Sequence, residues 1–435
     1  MRTGADPYVP GHGDLTYDVT HYDLELAYSL EGNRLDGTAR LDCTIREDTD
    51  ELALDLHGLD VTKVSVDGSA VKYRDRTGTL TVRLGETVAA GESVTVTVRY
   101  HGHPTPEKTR HLGAAGWEEL TDGVIVAGQP HGAPSWFPCN DRPSNKATYR
   151  MSIRVAAGYR VVANGSLLSN RRRSSTVTWV YEQLQPMATY LATVHIGRYE
   201  LRTADDGEVP MHAVLPQRLL SSYDDAFGEQ RAMIDTFSRL FGPYPFPAYT
   251  VVVTDDDLEI PLEAQGLSAF GANFLTSDWE SVRLVAHELS HQWFGNSLTL
   301  GSWQDIWLHE GFACYAEWIW SEESGGPSAQ QRAEEHHDKL AGLDQDLVLA
   351  DPGPELMFDD RVYKRGALTL HALRLTVGDD AFFGVLRGWT DKHAHGTVNT
   401  GAFVEFAELS TGQDLAELFD VWLNRATLPD LPPAS

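Results

Sequence analysis

The pentapeptide His287-Glu288-Leu289-Ser290-His291 is the feature that most restricts how this chain can fold. Two histidines four residues apart project from one face of a helix, where both rings reach a single ion. The segment must therefore be helical for the pair to act together. Glu288 lies next to the first histidine and three residues before the second, so its carboxylate reaches past such an ion rather than binding it. A third ligand is then required, and Glu310 follows His291 after 18 intervening residues.

The surroundings argue against a solvated surface helix. Leu284, Val285, Leu289, Trp293 and Phe294 make the first segment apolar, and Ile306, Trp307, Leu308, Phe312, Tyr315, Trp318 and Ile319 do the same around Glu310. Ionisable groups placed inside two apolar helices are costly unless they find partners. A divalent metal satisfies all of them at once. Two imidazoles and one carboxylate form the open donor set of catalytic zinc, which keeps a fourth position for water. The spacing thus predicts zinc on His287, His291 and Glu310, with Glu288 beside it as general base.

A chain of 435 residues is long for one core, so two domains are expected. No apolar run approaches the roughly 20 residues of a membrane span. The opening MRTGADPYVPGHGD has no apolar leader region, and Cys43, Cys139 and Cys314 are too few and scattered for a disulfide framework, so a cytoplasmic location is expected. The net charge of −28 argues against nucleic acid or an anionic membrane as partner, since both demand basic patches.

Along the chain, residues 15 to about 200 read as strands. Leu80-Val82-Leu84 and Val94-Val96-Val98 alternate, with Asp67-Gly68, Thr77-Gly78 and Ala90-Gly91 as turns. Strands without helical periodicity between them predict an antiparallel saddle or sandwich. Beyond residue 200 the pattern changes. Tyr223, Phe227, Ile234, Phe237 and Phe241 fall at helical spacing, 241–247 breaks the helix, and 249–253 reads as a buried strand. The expected fold is α+β, with a β domain at 1–200 and a mainly helical catalytic domain at 201–435.

Several segments together resemble the aminopeptidase N family of zinc peptidases, which are gluzincins. They are the pentapeptide, its 18-residue spacer, the W-L-x-E-G-F-A run at 307–313 and the V-Y-K-R-G-A run at 362–367. The resemblance implies a thermolysin-like catalytic domain, one zinc ion per chain and peptide substrates with a free N-terminus. It also implies a short form, without the helical C-terminal domain of many relatives. Tyr363 takes the place of the tyrosine that stabilises the transition state, and Arg365 stands where the family has lysine. Glu263, 24 residues ahead of His287, matches the glutamate that binds the substrate's α-amine, although the motif around it diverges. Gln129 matches the glutamine of the first substrate pocket. His131, two residues on, departs from the acidic or amide residue found there.

Other groups read as secondary. Asp305 is expected to orient a ligand histidine. His336 and His337, adjacent on a charged helix, point apart and read as a solvated face, and Arg171-Arg172-Arg173 as a solvated hairpin tip. Two alternatives to an aminopeptidase remain, a thermolysin-like endopeptidase and a non-catalytic binding protein on the same fold. Phe358, five residues before Tyr363, argues against the family's epoxide hydrolases, which carry tyrosine there.

Overall fold

The computed structural model describes residues 4–204 and 207–433. They group into two compact units. One comprises residues 4–204 with Pro210–Leu220 and Pro247–Ala272, and the other comprises Gly207–Val209, Ser221–Phe246 and residues 273–433. The chain thus first leaves the β unit just past residue 204, then returns to it twice.

The β unit is built on strict alternation. Tyr17–Ser29 buries every second side chain over much of its length, and Tyr17, Val19, Tyr22, Leu24 and Leu26 enter the core. Its neighbours in an eight-stranded sheet are Arg34–Ile45 and Lys146–Ala156. The first pairing is antiparallel, as the sequence predicts. The second is parallel, which departs from an all-antiparallel sheet. Alternation within a strand reports which face is buried and carries no information on the direction of a partner distant in sequence.

A five-stranded sheet in the same unit has Tyr199–Ala204, Met211–Pro216, Tyr249–Val253, Leu267–Phe270 and Leu262–Ala264 in spatial order. Leu262–Ala264, with Glu263 at its centre, is the edge strand. Val214, Val252, Ala264, Leu267 and Ala269 pack beneath it.

Three helices organise the second unit. The histidine helix, Trp279–Ser290, starts at Asp278, whose carboxylate accepts from the Ser281 N–H. The glutamate helix, Trp307–Glu323, is buried along nearly its whole length. The tyrosine helix, Asp360–Val377, is capped by Asp359, which accepts from the Arg361 N–H at 3.0 Å. The last two pack so closely that a Cβ on Gly311 would lie 2.7 Å from the Gly366 Cα. After the histidine helix, the Trp293 indole N–H donates to the Gly242 carbonyl at 2.8 Å, which ties that turn to the end of the helix Gln230–Phe241. No helix among the described residues is long and apolar enough to cross a membrane.

Candidate active site

In the helical unit, His287, His291 and Glu310 converge. The Glu310 Oε2 lies 3.3 Å from His287 Nε2 and 3.6 Å from His291 Nε2, and all three side chains are buried. A tetrahedral zinc site with bonds of about 2.0–2.1 Å has ligand–ligand edges of about 3.3–3.4 Å, so these spacings fit zinc closely. The tautomers fit as well. His287 Nδ1 donates to Glu317 Oε1 at 2.8 Å and His291 Nδ1 donates to the Phe294 carbonyl at 3.0 Å. Each ring therefore turns an unprotonated Nε2 toward the shared centre once an ion is bound.

Electrostatics point the same way. Burial works against a charge on His287, yet hydrogen bonds to Glu310 and Glu317 outweigh it and raise its pKa to about 10. Burial likewise opposes ionisation of Glu310, but His291 and His287 hold its carboxyl well below the usual range. Two carboxylates thus demand positive charge on the imidazoles, and a divalent cation supplies that charge in place of protons. Glu288, also buried, is pushed the other way: burial raises its pKa, partly offset by His287 and His291.

Tyr363, in the first turn of its helix, lays its ring nearly parallel to His287, with centroids 6.0 Å apart and planes 20° from parallel. The structure therefore brings four of the expected residues around one centre and places Glu288 on the helix that carries His287 and ends at His291.

In the β unit, the other two expected residues meet. Gln129 Nε2 donates to Glu263 Oε1 at 2.8 Å, and both border a small cavity with Tyr190, Thr193, His195 and Leu262. The loop 129–143 is ordered and almost wholly buried. His131 does not share that cavity. Its ring is fully buried, edge-on to His12 at 5.9 Å, with Nε2 3.3 Å from the Glu107 carbonyl. Burial, and after it the His12 charge, lower its pKa, so it is a neutral core histidine rather than a pocket residue.

Two further expectations are corrected. Asp305 accepts from the Thr400 backbone N–H and hydroxyl at 3.0 and 2.6 Å, at the first residue of the helix Thr400–Thr411, which Asn399 caps. The group that orients His287 is Glu317 instead. It also receives Arg283 Nη1 at 3.3 Å, and Lys364, His287 and Arg283 overcome its burial to hold its pKa at about 2. A sequence signal for it exists: Glu317 lies seven residues after Glu310, two turns along the same face of an apolar helix. The second correction concerns His336, which is half-buried rather than on a fully solvated face. It stacks on Trp318 with planes 4° apart, while His337 accompanies the Pro429 carbonyl at 2.9 Å.

Comparisons with known proteins agree in domain order. Residues 18–191 match the peptidase M1 N-terminal domain and residues 226–422 match the peptidase family M1 domain. A leucyl aminopeptidase of Saccharolobus solfataricus is 25% identical over 94% of this chain, which spans 54% of that protein. An aminopeptidase N of Lactococcus lactis is 29% identical over 69% of the chain, covering 38% of its own length. The chain thus spans about half the length, or less, of these relatives. Among solved structures, an M1 zinc metallopeptidase from Deinococcus radiodurans is 33% identical, with 99% of both chains covered and a TM-score of 0.90. A substituted form of that enzyme, bound to a Tyr-Ser-Ala substrate, superimposes with a TM-score of 0.91. A relative one-third identical over its whole length, and two domain profiles matched in order, establish that the chain belongs to peptidase family M1.

Proposed function

We propose that this protein is a zinc-dependent aminopeptidase that removes the N-terminal residue from peptides. The observation that carries the reading is the convergence of His287 Nε2, His291 Nε2 and Glu310 Oε2 in a buried site of tetrahedral dimensions. His287, His291 and Glu310 would hold one zinc ion per chain, which would supply Lewis acidity for the scissile carbonyl and for water. Glu288 takes the proton from the attacking water and returns it to the leaving nitrogen. The Tyr363 hydroxyl donates to the oxyanion, a contribution typically on the order of 10²–10³ in rate.

Glu263 receives the substrate's terminal ammonium, assisted by Gln129. An edge-strand carboxylate fixed by a 2.8 Å hydrogen bond is a rigid acceptor for that group, and it restricts cleavage to the first peptide bond. By sequence order the proposed domains are a β domain at 1–200 and a catalytic domain at 201–435, although Pro210–Leu220 and Pro247–Ala272 of the latter pack as part of the β unit. Three free, buried cysteines support a cytoplasmic location.

A fluorogenic aminoacyl amide and its N-acetylated counterpart test the proposal. The free amine is cleaved, the blocked form is refused, and chelation abolishes activity that added zinc restores. Equal cleavage of both forms would make the enzyme an endopeptidase, and no cleavage of either by zinc-loaded protein would leave a binding protein on this fold.

A further inference from the structure

Arg365 occupies an unusual setting. It is only 4% exposed, and among the described residues no carboxylate pairs with it. Its guanidinium instead donates to six backbone carbonyls. Nε reaches Trp422 at 3.0 Å, Nη1 reaches Leu347 at 3.2 Å and Ala426 at 2.6 Å, and Nη2 reaches Val421 and Thr427 at 3.3 Å and also Arg425. Five of these belong to one segment, 421–427. That segment follows the short helix Ala416–Phe419 through a widened helical turn, Asp420–Asn424. Carbonyls at the C-terminal end of a helix lack partners within it and carry the negative end of its dipole. The guanidinium satisfies them and supplies the complementary charge.

The same helix turn faces three other ways. Tyr363 lies over His287, Lys364 Nζ reaches Cys314 Sγ at 3.4 Å, and Gly366 presses on Gly311 of the glutamate helix. Residues two apart on a helix diverge by about 200°, so Arg365 pulls on the side away from Tyr363. The helix start is thereby held from both sides, by the metal-centre helices on one and by segment 421–427 on the other. A lysine at this position has three donors at one point and cannot serve carbonyls spread around a planar fork.

We propose that Arg365 is a positioning residue, which docks segment 421–427 against the start of the tyrosine helix and thereby fixes the Tyr363 hydroxyl for catalysis. The inference rests on the role of Tyr363 proposed above. A displacement of about 1 Å in a catalytic group costs up to about a hundredfold in rate, so a loosened anchor registers in turnover before it registers in substrate binding.

A double-mutant cycle on the zinc-loaded, full-length protein tests it. R365K is expected to lower kcat roughly tenfold with KM changed less than about twofold, and in a Y363F background to cost less than about twofold more. R365K also exposes segment 421–427 to limited proteolysis, while the thermal transition of the enzyme remains cooperative. R365Q, which removes the buried charge but keeps amide donors, repeats the cycle if R365K fails to fold. The proposal is overturned if Y363F loses turnover but the arginine variants leave kcat intact, or if they cost the same factor with and without the tyrosine. Should Y363F retain full kcat, the role assigned to Tyr363 fails, and the positioning role falls with it.

Discussion

Gly311 and Gly366 meet backbone to backbone where the glutamate helix crosses the tyrosine helix. A Cβ on either would come within 2.6–2.7 Å of the other's Cα. One is the residue after the ligand Glu310, and the other lies three residues after Tyr363. The contact therefore sets the distance between a metal ligand and the proposed oxyanion donor. Gly311→Ala has no flexible side chain to displace and must part the helices, at a cost of about 1–3 kcal/mol. Denaturant unfolding and zinc content, measured together, should both fall. A variant with full stability and full metal would show that the helices have room to separate.

Glu288→Gln keeps the size of the side chain and removes its capacity to accept a proton. Turnover should fall to background while zinc stays near one ion per chain. Metal analysis beside a steady-state assay separates this outcome from simple loss of the site.

Glu317 touches no substrate in this scheme, yet it fixes the ring of His287 through a 2.8 Å hydrogen bond. Glu317→Ala should weaken zinc binding by about 10–100-fold, read by competition with a chelator of known affinity. Unchanged affinity would mean that the helix alone orients the ring.

Glu263→Gln removes the charge proposed to hold the substrate's ammonium but keeps a hydrogen-bonding side chain next to Gln129. The expected result is a loss of at least about tenfold in kcat/KM for peptides with a free amine. The preference over N-acetylated peptides should shrink with it, measured with matched pairs of substrates.

The β unit carries its own pH dependence. His12 Nδ1 lies 2.8 Å from Asp141 Oδ2, and Nε2 lies 3.7 Å from Glu107. Burial opposes the imidazolium, but these carboxylates outweigh it and raise the His12 pKa from 6.5 to about 11. A raised folded-state pKa means that the stabilisation is complete below pH 6.5 and is lost as the pH rises through about 11. The difference in unfolding temperature between the wild type and His12→Asn should therefore be greatest near pH 6 and narrow steadily towards pH 11. A constant gap across that range would show that packing, not charge, is what the ring contributes.

Much of this was readable from residues alone because it rests on local periodicity. Four-residue spacing puts His287 and His291 on one helix face, and apolar flanks bury them. Alternation at 80–84 and 94–98 marks the strands Thr79–Val88 and Ser93–Gly102 and most of their inward side chains. What escaped depends on partners distant in sequence. The direction of the pairing between Tyr17–Ser29 and Lys146–Ala156 leaves no trace in either strand, and Asp305 is indistinguishable in sequence from a group that orients histidine. His131 is instructive in another way. Its place in the loop resembles a pocket position, but the ring turns inward to His12 and Glu107, partners contributed by segments more than twenty residues away. Glu317, by contrast, was within reach, since its spacing from Glu310 repeats the logic that identified the ligands.

The parallel pairing at the centre of the large sheet also bears on how the protein is made. Tyr17–Ser29 leaves the ribosome before either partner and pairs first with Arg34–Ile45, but its other edge waits until Lys146–Ala156 has been synthesised. For more than a hundred residues of elongation, that edge is an unpaired strand that carries three tyrosines and two leucines. Nascent chains halted in this interval should bind hydrophobic-surface chaperones, and release from them should coincide with the exit of the later strand.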